Sequence, residues 1–122
     1  WTYRTLGVDA TTRRAGIGDF RTPSRPATIL CAFVVNELDA KDRGVLLERL
    51  STAAARGHQI VVIEPIARTI TPWWAEWESV LGRAGLRTRE WRFQADLPPL
   101  LRQLDKAARV THRELTARTL SH

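Results

Sequence analysis

The sequence predicts a layered α/β domain, with helices lying against a sheet, on three observations. Thr28 to Val35 (TILCAFVV) is an unbroken apolar run, and Gln59 to Ile63 (QIVVI) is a second, β-branched one. Between them Leu46, Leu47, Leu50, Ala53 and Ala54 recur on one stripe at helical spacing. An apolar run without alternation is the pattern of a strand covered on both faces in a parallel sheet. The intervening helix is long enough for a parallel crossover. With 122 residues, 43% of them apolar, the chain has material for one modest core and not for two domains.

The elements follow in order. Trp1 to Val8 mixes aromatic and β-branched residues and reads as a possible strand, after which Gly16, Gly18, Pro23 and Pro26 interrupt regular structure through residue 27. The first apolar run ends in Asn36-Glu37. Asp39 then suits a helix N-cap and Asp42 its first turn, and Gly57 closes that helix. The second run ends in Glu64-Pro65. A second helix is expected with Thr71 as cap and Pro72 at its first position, running through Trp74, Trp77, Leu81 and Ala84 to Gly85. Arg87 to Phe93 alternates, with Arg89, Trp91 and Phe93 on one side and Thr88, Glu90 and Arg92 on the other, as a strand with one wetter face does. Asp96 and Pro98 open a short helix carrying Leu100, Leu101, Leu104 and Ala108, and Thr111 to Leu120 alternates again. The last two strands are expected as an antiparallel edge on an otherwise parallel sheet.

Composition excludes several classes. Cys31 is the single cysteine and lies inside an apolar run, so a disulfide-stapled secreted domain is excluded and a reducing cytoplasm fits. Ile29 to Val35, the longest apolar stretch, falls far short of the roughly 20 residues a membrane helix needs. His58, His112 and His122 have no Cys or carboxylate at ligand spacing, so no metal site is indicated. No G-x-S-x-G elbow occurs, which disfavours hydrolase chemistry. There are 17 Arg against 2 Lys and a net charge of +6, which permits an acidic partner. Arg83, Arg87, Arg89, Arg92 and Arg102 read either as a phosphate-binding patch or as a solvated face, and without interleaved exposed aromatics the solvated face is preferred. Met is absent and position 1 is Trp, which reads as a piece of a longer protein.

In parallel α/β sheets ligands sit beyond the carboxyl ends of the strands, a rule that selects Asn36, Glu37, Glu64 and Pro65. Asn36 and Glu37 offer an amide and a carboxylate able to orient a ligand, or equally two groups that satisfy free backbone donors at a helix entry. Glu64-Pro65 repeats the arrangement on the neighbouring strand. Trp74 and Trp77 share a helix face and read as core. Trp73 points about 100° from Trp74, so one of the two is expected near the loop above Glu64, as an aromatic wall for a substrate or cofactor ring. Gly16-Ile17-Gly18-Asp19 contains G-x-G, but Arg21 occupies the third glycine position and Pro23 follows, so it fails as a phosphate loop. Asp19 reads as a ligand contact or as an ordinary turn aspartate.

The run ILCAFVVNELDAKDRGVLLERL followed by GHQIVVIEP resembles the second half of class I S-adenosylmethionine-dependent methyltransferases, and F-V-V-N-E-L with a later E-P is similar to bacterial members related to the Rsm22-like group. PWWAEWESVLGRAGLRTREWRF, LPPLL and RELTARTL resemble that family's last helices and its sixth and seventh strands. The resemblance spans roughly residues 15 to 120. It implies a three-layer Rossmann-like sheet, mostly parallel with an antiparallel C-terminal edge, and S-adenosyl-L-methionine as cofactor. It also implies that the glycine-rich loop and the ribose-binding acidic strand end lie upstream of Trp1, in a missing N-terminal half. By the same resemblance Asp19 contacts the adenine amino group, Phe33 and Asn36 border the cofactor, Asn36 and Glu37 carry catalysis, and Glu64, Pro65 and Trp73 line the acceptor pocket. The acceptor, RNA or a small molecule, is not specified by these residues. With half of the cofactor site absent the chain alone is expected to be inactive, and with the first strand of the family's sheet absent TILCAFVV becomes an exposed edge, so the chain is expected to be unstable or to self-associate. Two other classes compete: a basic α/β module that binds nucleic acid or the ribosome without catalysis, and another doubly wound enzyme such as a nicotinamide-dependent reductase.

Overall fold

The computed structural model describes residues 5–67, 69, 71–110 and 113–122. It is an α/β structure whose single four-stranded sheet comprises β1 (Thr28–Ala32), β2 (Gln59–Glu64), β3 (Arg87–Gln94) and β4 (Glu114–Ser121), in the order β1-β2-β4-β3. Among the described residues the α-helices that accompany it are α1 (Ala40–Ala55), α2 (Trp74–Gly82) and α3 (Pro99–Ala108). β1 and β2 are parallel, with Ile29 beside Ile60 and Cys31 beside Val62. β4 runs antiparallel to both of its neighbours, β2 and β3. The antiparallel part therefore lies on the C-terminal side of the sheet, as the sequence predicts, but the last strand is internal and β3 forms the rim.

α1 forms where its capping chemistry sets it. The Asp39 carboxylate accepts the Asp42 N–H at 2.8 Å, and Leu46, Leu47, Leu50 and Ala53 are buried. The helix stops at Gly57, which takes φ 84°, a region closed to most side chains, while Gly57 N–H and His58 N–H return to the Ala54 and Ala53 carbonyls at 3.0 and 3.1 Å. The chain turns directly into β2, and buried His58 accepts the Ala27 N–H at the start of β1. α2 begins at Trp74, later than the Thr71-Pro72 pattern predicts. Thr71 contributes its backbone carbonyl to the Trp74 N–H at 3.1 Å, and its hydroxyl is turned back to the Ala67 carbonyl and to Arg118. α3 starts at Pro99, and Asp96 pairs with Arg102 at 3.5 Å instead of capping it. Of the strand expected over Trp1 to Val8, residues 1–4 lie outside the described part, Thr5 is helical, and Leu6 and Gly7 form a turn, so the described residues there are not a strand. Thr111 and His112, expected at the start of the last strand, also lie outside it.

The core lies on one face of the sheet. Ile29, Cys31, Ile60, Val62 and Leu120 share that face through the strand register and join the buried residues of α1 and α2 in one cluster. The other face is bare: Leu30, expected to be covered, is 60% exposed, and Trp91, Phe93 and Leu115 are exposed as well. The burial alternation of β1 is thus that of a one-sided strand at a sheet rim, and the apolar run predicted double cover because both faces carry apolar side chains. Among the described residues no helix is long and apolar enough to cross a membrane.

A bare apolar rim strand invites pairing with a second chain. Leu30→Lys is expected to change folding stability by no more than about 0.5 kcal/mol, as surface substitutions do, and to shift the chain towards monomer in sedimentation velocity. An unchanged size distribution would show that β1 is not the associating edge.

Candidate functional site

The carboxyl ends of β1 and β2 are joined by one side chain. β1 stops at Ala32, three residues earlier than the apolar run predicts, because Phe33 adopts φ 55° and turns the chain off the sheet. The Phe33 N–H still reaches the Ile63 carbonyl at 2.8 Å, so the departure is abrupt. Val35–Glu37 then forms a 3-10 turn with Val35 fully buried. Glu64, at the last position of β2 and completely buried, accepts the Val35 N–H at 2.8 Å and the Asn36 N–H at 3.4 Å through Oε1. It therefore holds the donors that the short turn leaves open.

Burial pushes the Glu64 carboxyl above its ordinary value of 4.5 and the nearby Glu37 charge adds to this, while the Val35, Asn36 and Val34 backbone groups pull the other way. Glu64 Oε2 is buried with no hydrogen-bond partner among the described residues. The same burial, with Glu64 close by, pushes the Cys31 thiol up to about 11. Cys31 is therefore an inert core group.

The register sets Arg118 of β4 opposite Glu64. Arg118 is buried, its guanidinium lies 4.2 Å from the centre of the Trp74 ring, and it donates to the Thr71 hydroxyl. Neither Arg118 nor Thr71 was singled out by the sequence for this end of the fold. The available signal was slight: Arg118 shares its phase of the last strand with Glu114 and Thr116, and only Leu120, two residues on, marks that phase as core-facing.

The expected site residues separate into three groups. Asn36, half-buried, and Glu37, exposed, are brought to Glu64 by the turn, and half-buried Pro65 follows it directly. Phe33 is exposed beside them. Trp73 is 8% exposed and packs against Trp77 at 5.0 Å and Trp74 at 5.7 Å between ring centres. All three tryptophans are interior: the Trp73 carbonyl accepts the Trp77 N–H at 3.3 Å in the first turn, and the Trp73 indole packs on the other two rings instead of walling a pocket. Asp19 lies apart, in the 3-10 turn Ile17–Asp19. Arg49 of α1 fastens that turn by donating to the Ile17, Phe20 and Gly18 carbonyls at 2.9, 2.7 and 3.0 Å. Asp19 there lines an open groove of about 460 Å³ with Ile17, Phe20 and Leu38, and Leu38 follows Glu37 directly.

Among the described residues no three His, Cys, Asp or Glu side chains are grouped to hold a metal. The chain matches no known protein family, curated protein or solved structure.

The raised Glu64 value has a definite sign. The folded state holds that proton more tightly than the unfolded chain, so the contribution of Glu64 to stability is fully present below pH 4.5 and is lost as the pH rises through its raised folded value. Glu64→Gln keeps a carbonyl for Val35 and removes this loss, so urea unfolding is expected to show it at least as stable as the parent at pH 7, with a flatter pH profile. Glu64→Ala leaves the buried Val35 N–H unsatisfied and is expected to cost about 1–3 kcal/mol. Equal stabilities for the two variants would remove the clamp from the account.

Proposed function

We propose that the chain is the C-terminal half of a class I S-adenosylmethionine-dependent methyltransferase domain, a three-layer Rossmann-like fold, acting in a bacterial cytoplasm. The observation that carries the reading is the place of β4, reversed and inserted between β2 and β3. The resemblance assigns β1 and β2 to the family's fourth and fifth strands and β3 and β4 to its sixth and seventh, and it implies that antiparallel pairing enters on the C-terminal side of an otherwise parallel sheet, which is where β4 reverses. Two open surfaces agree with it. The free edge of β1 is where the family's first strand pairs, and the bare sheet face beside Leu30 is where a further helical layer packs.

The residues present fit one part of the cofactor. The Asp19 groove is lined by Ile17, Phe20 and Leu38 together with the Asp19 carboxylate and the Arg13 and Arg21 side chains; its apolar wall suits an adenine ring whose amino group would donate to Asp19. When bound, S-adenosylmethionine supplies an electrophilic methyl group on a sulfonium sulfur. The chain contributes position: the Glu64 clamp fixes the turn, and the turn presents the Asn36 amide and the Glu37 carboxylate at the carboxyl end of the sheet. Asn36 orients the cofactor or the acceptor with its amide donors and carbonyl, and Glu37 accepts the acceptor's proton. Phe33 offers apolar surface beside them. Glu64 acts through the turn and Trp73 through the packing of α2, so both are positioning residues, and Pro65 shapes the loop above.

In the protein that carries this chain, Asn36→Ala is expected to weaken cofactor binding in calorimetry, or to lower kcat/KM, by about tenfold, the size of one lost hydrogen bond to a polar ligand. Glu37→Ala is expected to lower turnover with cofactor affinity kept. If both variants bind the cofactor and turn over like the parent, the reading is wrong.

A further inference from the structure

The bare face of the sheet has a charged and aromatic row along β3 that the methyltransferase reading does not use. Strand alternation places Arg87, Arg89, Trp91 and Phe93 on that face, where the facing positions of β4 are Ser121, Thr119, Ala117 and Leu115. These eight positions hold two arginines, two aromatic rings and no carboxylate. The carboxylates of this strand pair, Glu90 and Glu114, lie on the opposite face, where Arg92 meets them at 4.0 and 3.6 Å. Charge is therefore sorted by face: balanced on one, purely positive on the other.

The aromatic groups of the row are open to solvent and held in place. Trp91 is 40% and Phe93 58% exposed, and their rings lie parallel within 5° at 6.3 Å between centres. The Trp91 indole N–H donates to the Thr119 hydroxyl at 3.2 Å, which anchors the ring to the neighbouring strand. The patch thus contains the interleaved exposed aromatics whose absence favoured a solvated arginine face. β3 is also a rim strand, so a ligand can approach along its length.

These features discriminate between occupants. A protein helix laid over β3 would take the Arg87 and Arg89 guanidiniums out of water with no carboxylate on the sheet to meet them, at a cost of several kcal/mol per ion. A strand of nucleic acid brings its own phosphates to the arginines and flat bases to the rings, and base-aromatic stacking tolerates any sequence. A duplex keeps its bases stacked inside and offers the rings nothing. From Arg87 to Phe93 the row is about 20 Å long at strand rise, enough for several nucleotides. We propose that this face of β3 binds single-stranded nucleic acid, with bases stacked on Trp91 and Phe93 and phosphates on Arg87 and Arg89. The proposal does not depend on methyl transfer: its readout is oligonucleotide binding, whereas that of the proposed function is the cofactor.

The test is fluorescence anisotropy of the chain with labelled oligouridylate, oligodeoxythymidylate and a duplex of equal length, at about 50 and about 200 mM salt. Both single strands are expected to bind, more tightly than the duplex and more weakly at the higher salt. Phe93→Ala is expected to weaken binding about tenfold, within the range for one stacked base, with Phe93→Tyr restoring it. Arg89→Ala is expected to lower the salt slope by about one, and Arg92→Ala, on the balanced face, to change little. Circular dichroism matching the parent establishes that the variants fold. Three results would overturn the proposal: no single-strand binding at low salt, binding equally displaced by heparin and unaffected by Phe93→Ala, or a Phe93-dependent self-association in sedimentation without oligonucleotide binding.

Discussion

The buried carboxylate of Glu64 is the constraint on which the carboxyl end of the sheet depends. A carboxylate without water is costly unless charge-assisted hydrogen bonds replace its hydration. Here the replacement comes from backbone N–H groups of a turn that has no other partners for them. The turn's donors are satisfied and the carboxyl's desolvation is offset in part, and this bond fixes the turn's position relative to β2. The abrupt exit of β1 at Phe33 follows from it. Val35 must reach both the core and the Glu64 oxygen, and a left-handed residue is the shortest way to bend the strand there. The positive φ of a bulky residue costs of order 1–2 kcal/mol, which one buried charge-assisted bond can offset.

A second consequence comes from the reversal of β4. A parallel strand in its place would bring its last residues to the carboxyl end of β2. The reversed strand brings Arg118 there instead, opposite Glu64, and leaves apolar Leu120 beside Val62 in the middle of the core. Arg118 in turn is sandwiched by Trp74, so the charged end of the sheet is sealed by an indole from α2. Acid, base and aromatic cover arrive from β2, β4 and α2, which explains how one small domain keeps two ionisable groups buried without opening the core. The edge-on packing of Trp73 against Trp77 extends that aromatic cover.

The elements that rest on local chemistry were legible in the sequence. Asp39, Gly57 and the Leu46-Leu47-Leu50 stripe define α1 by capping, closure and periodicity, and these do not need the rest of the chain. The two apolar strands and the alternation of Arg87 to Gln94 were legible for the same reason. What failed was set by tertiary contacts. TILCAFVV cannot show where β1 ends, because the decision lies with a Glu64 side chain 28 residues after Asn36. PWWAEW cannot show that Trp73 is interior, because its burial comes from the packing of the three indoles on one another, which spacing alone does not reveal. Asn36, Glu37 and Glu64 were found by a general rule about strand ends, but the rule could not tell which carboxylate faces solvent and which serves as an internal post. Arg118 was missed because an arginine in an alternating strand reads as surface until the facing residue is known.

The bare face bears on both functional readings, and its two halves differ in chemistry. Around Leu30 it is apolar and uncharged, and apolar surface of this kind gains by being covered with more protein, at about 25 cal/mol for each Å² removed from water. Along β3 it carries guanidiniums, and there the balance reverses: the desolvation of two cations exceeds what covering two half-exposed rings returns. The same sheet face therefore asks for a packed layer at the β1 side and for a solvated, negatively charged ligand at the β3 side. β1, β2 and β3 all run in one direction, so Phe93 lies at the same end of the sheet as the Asn36-Glu37 turn. A strand bound along β3 would lead from the arginines towards the end where the clamp holds its polar groups, which gives the clamp and the aromatic row a common direction.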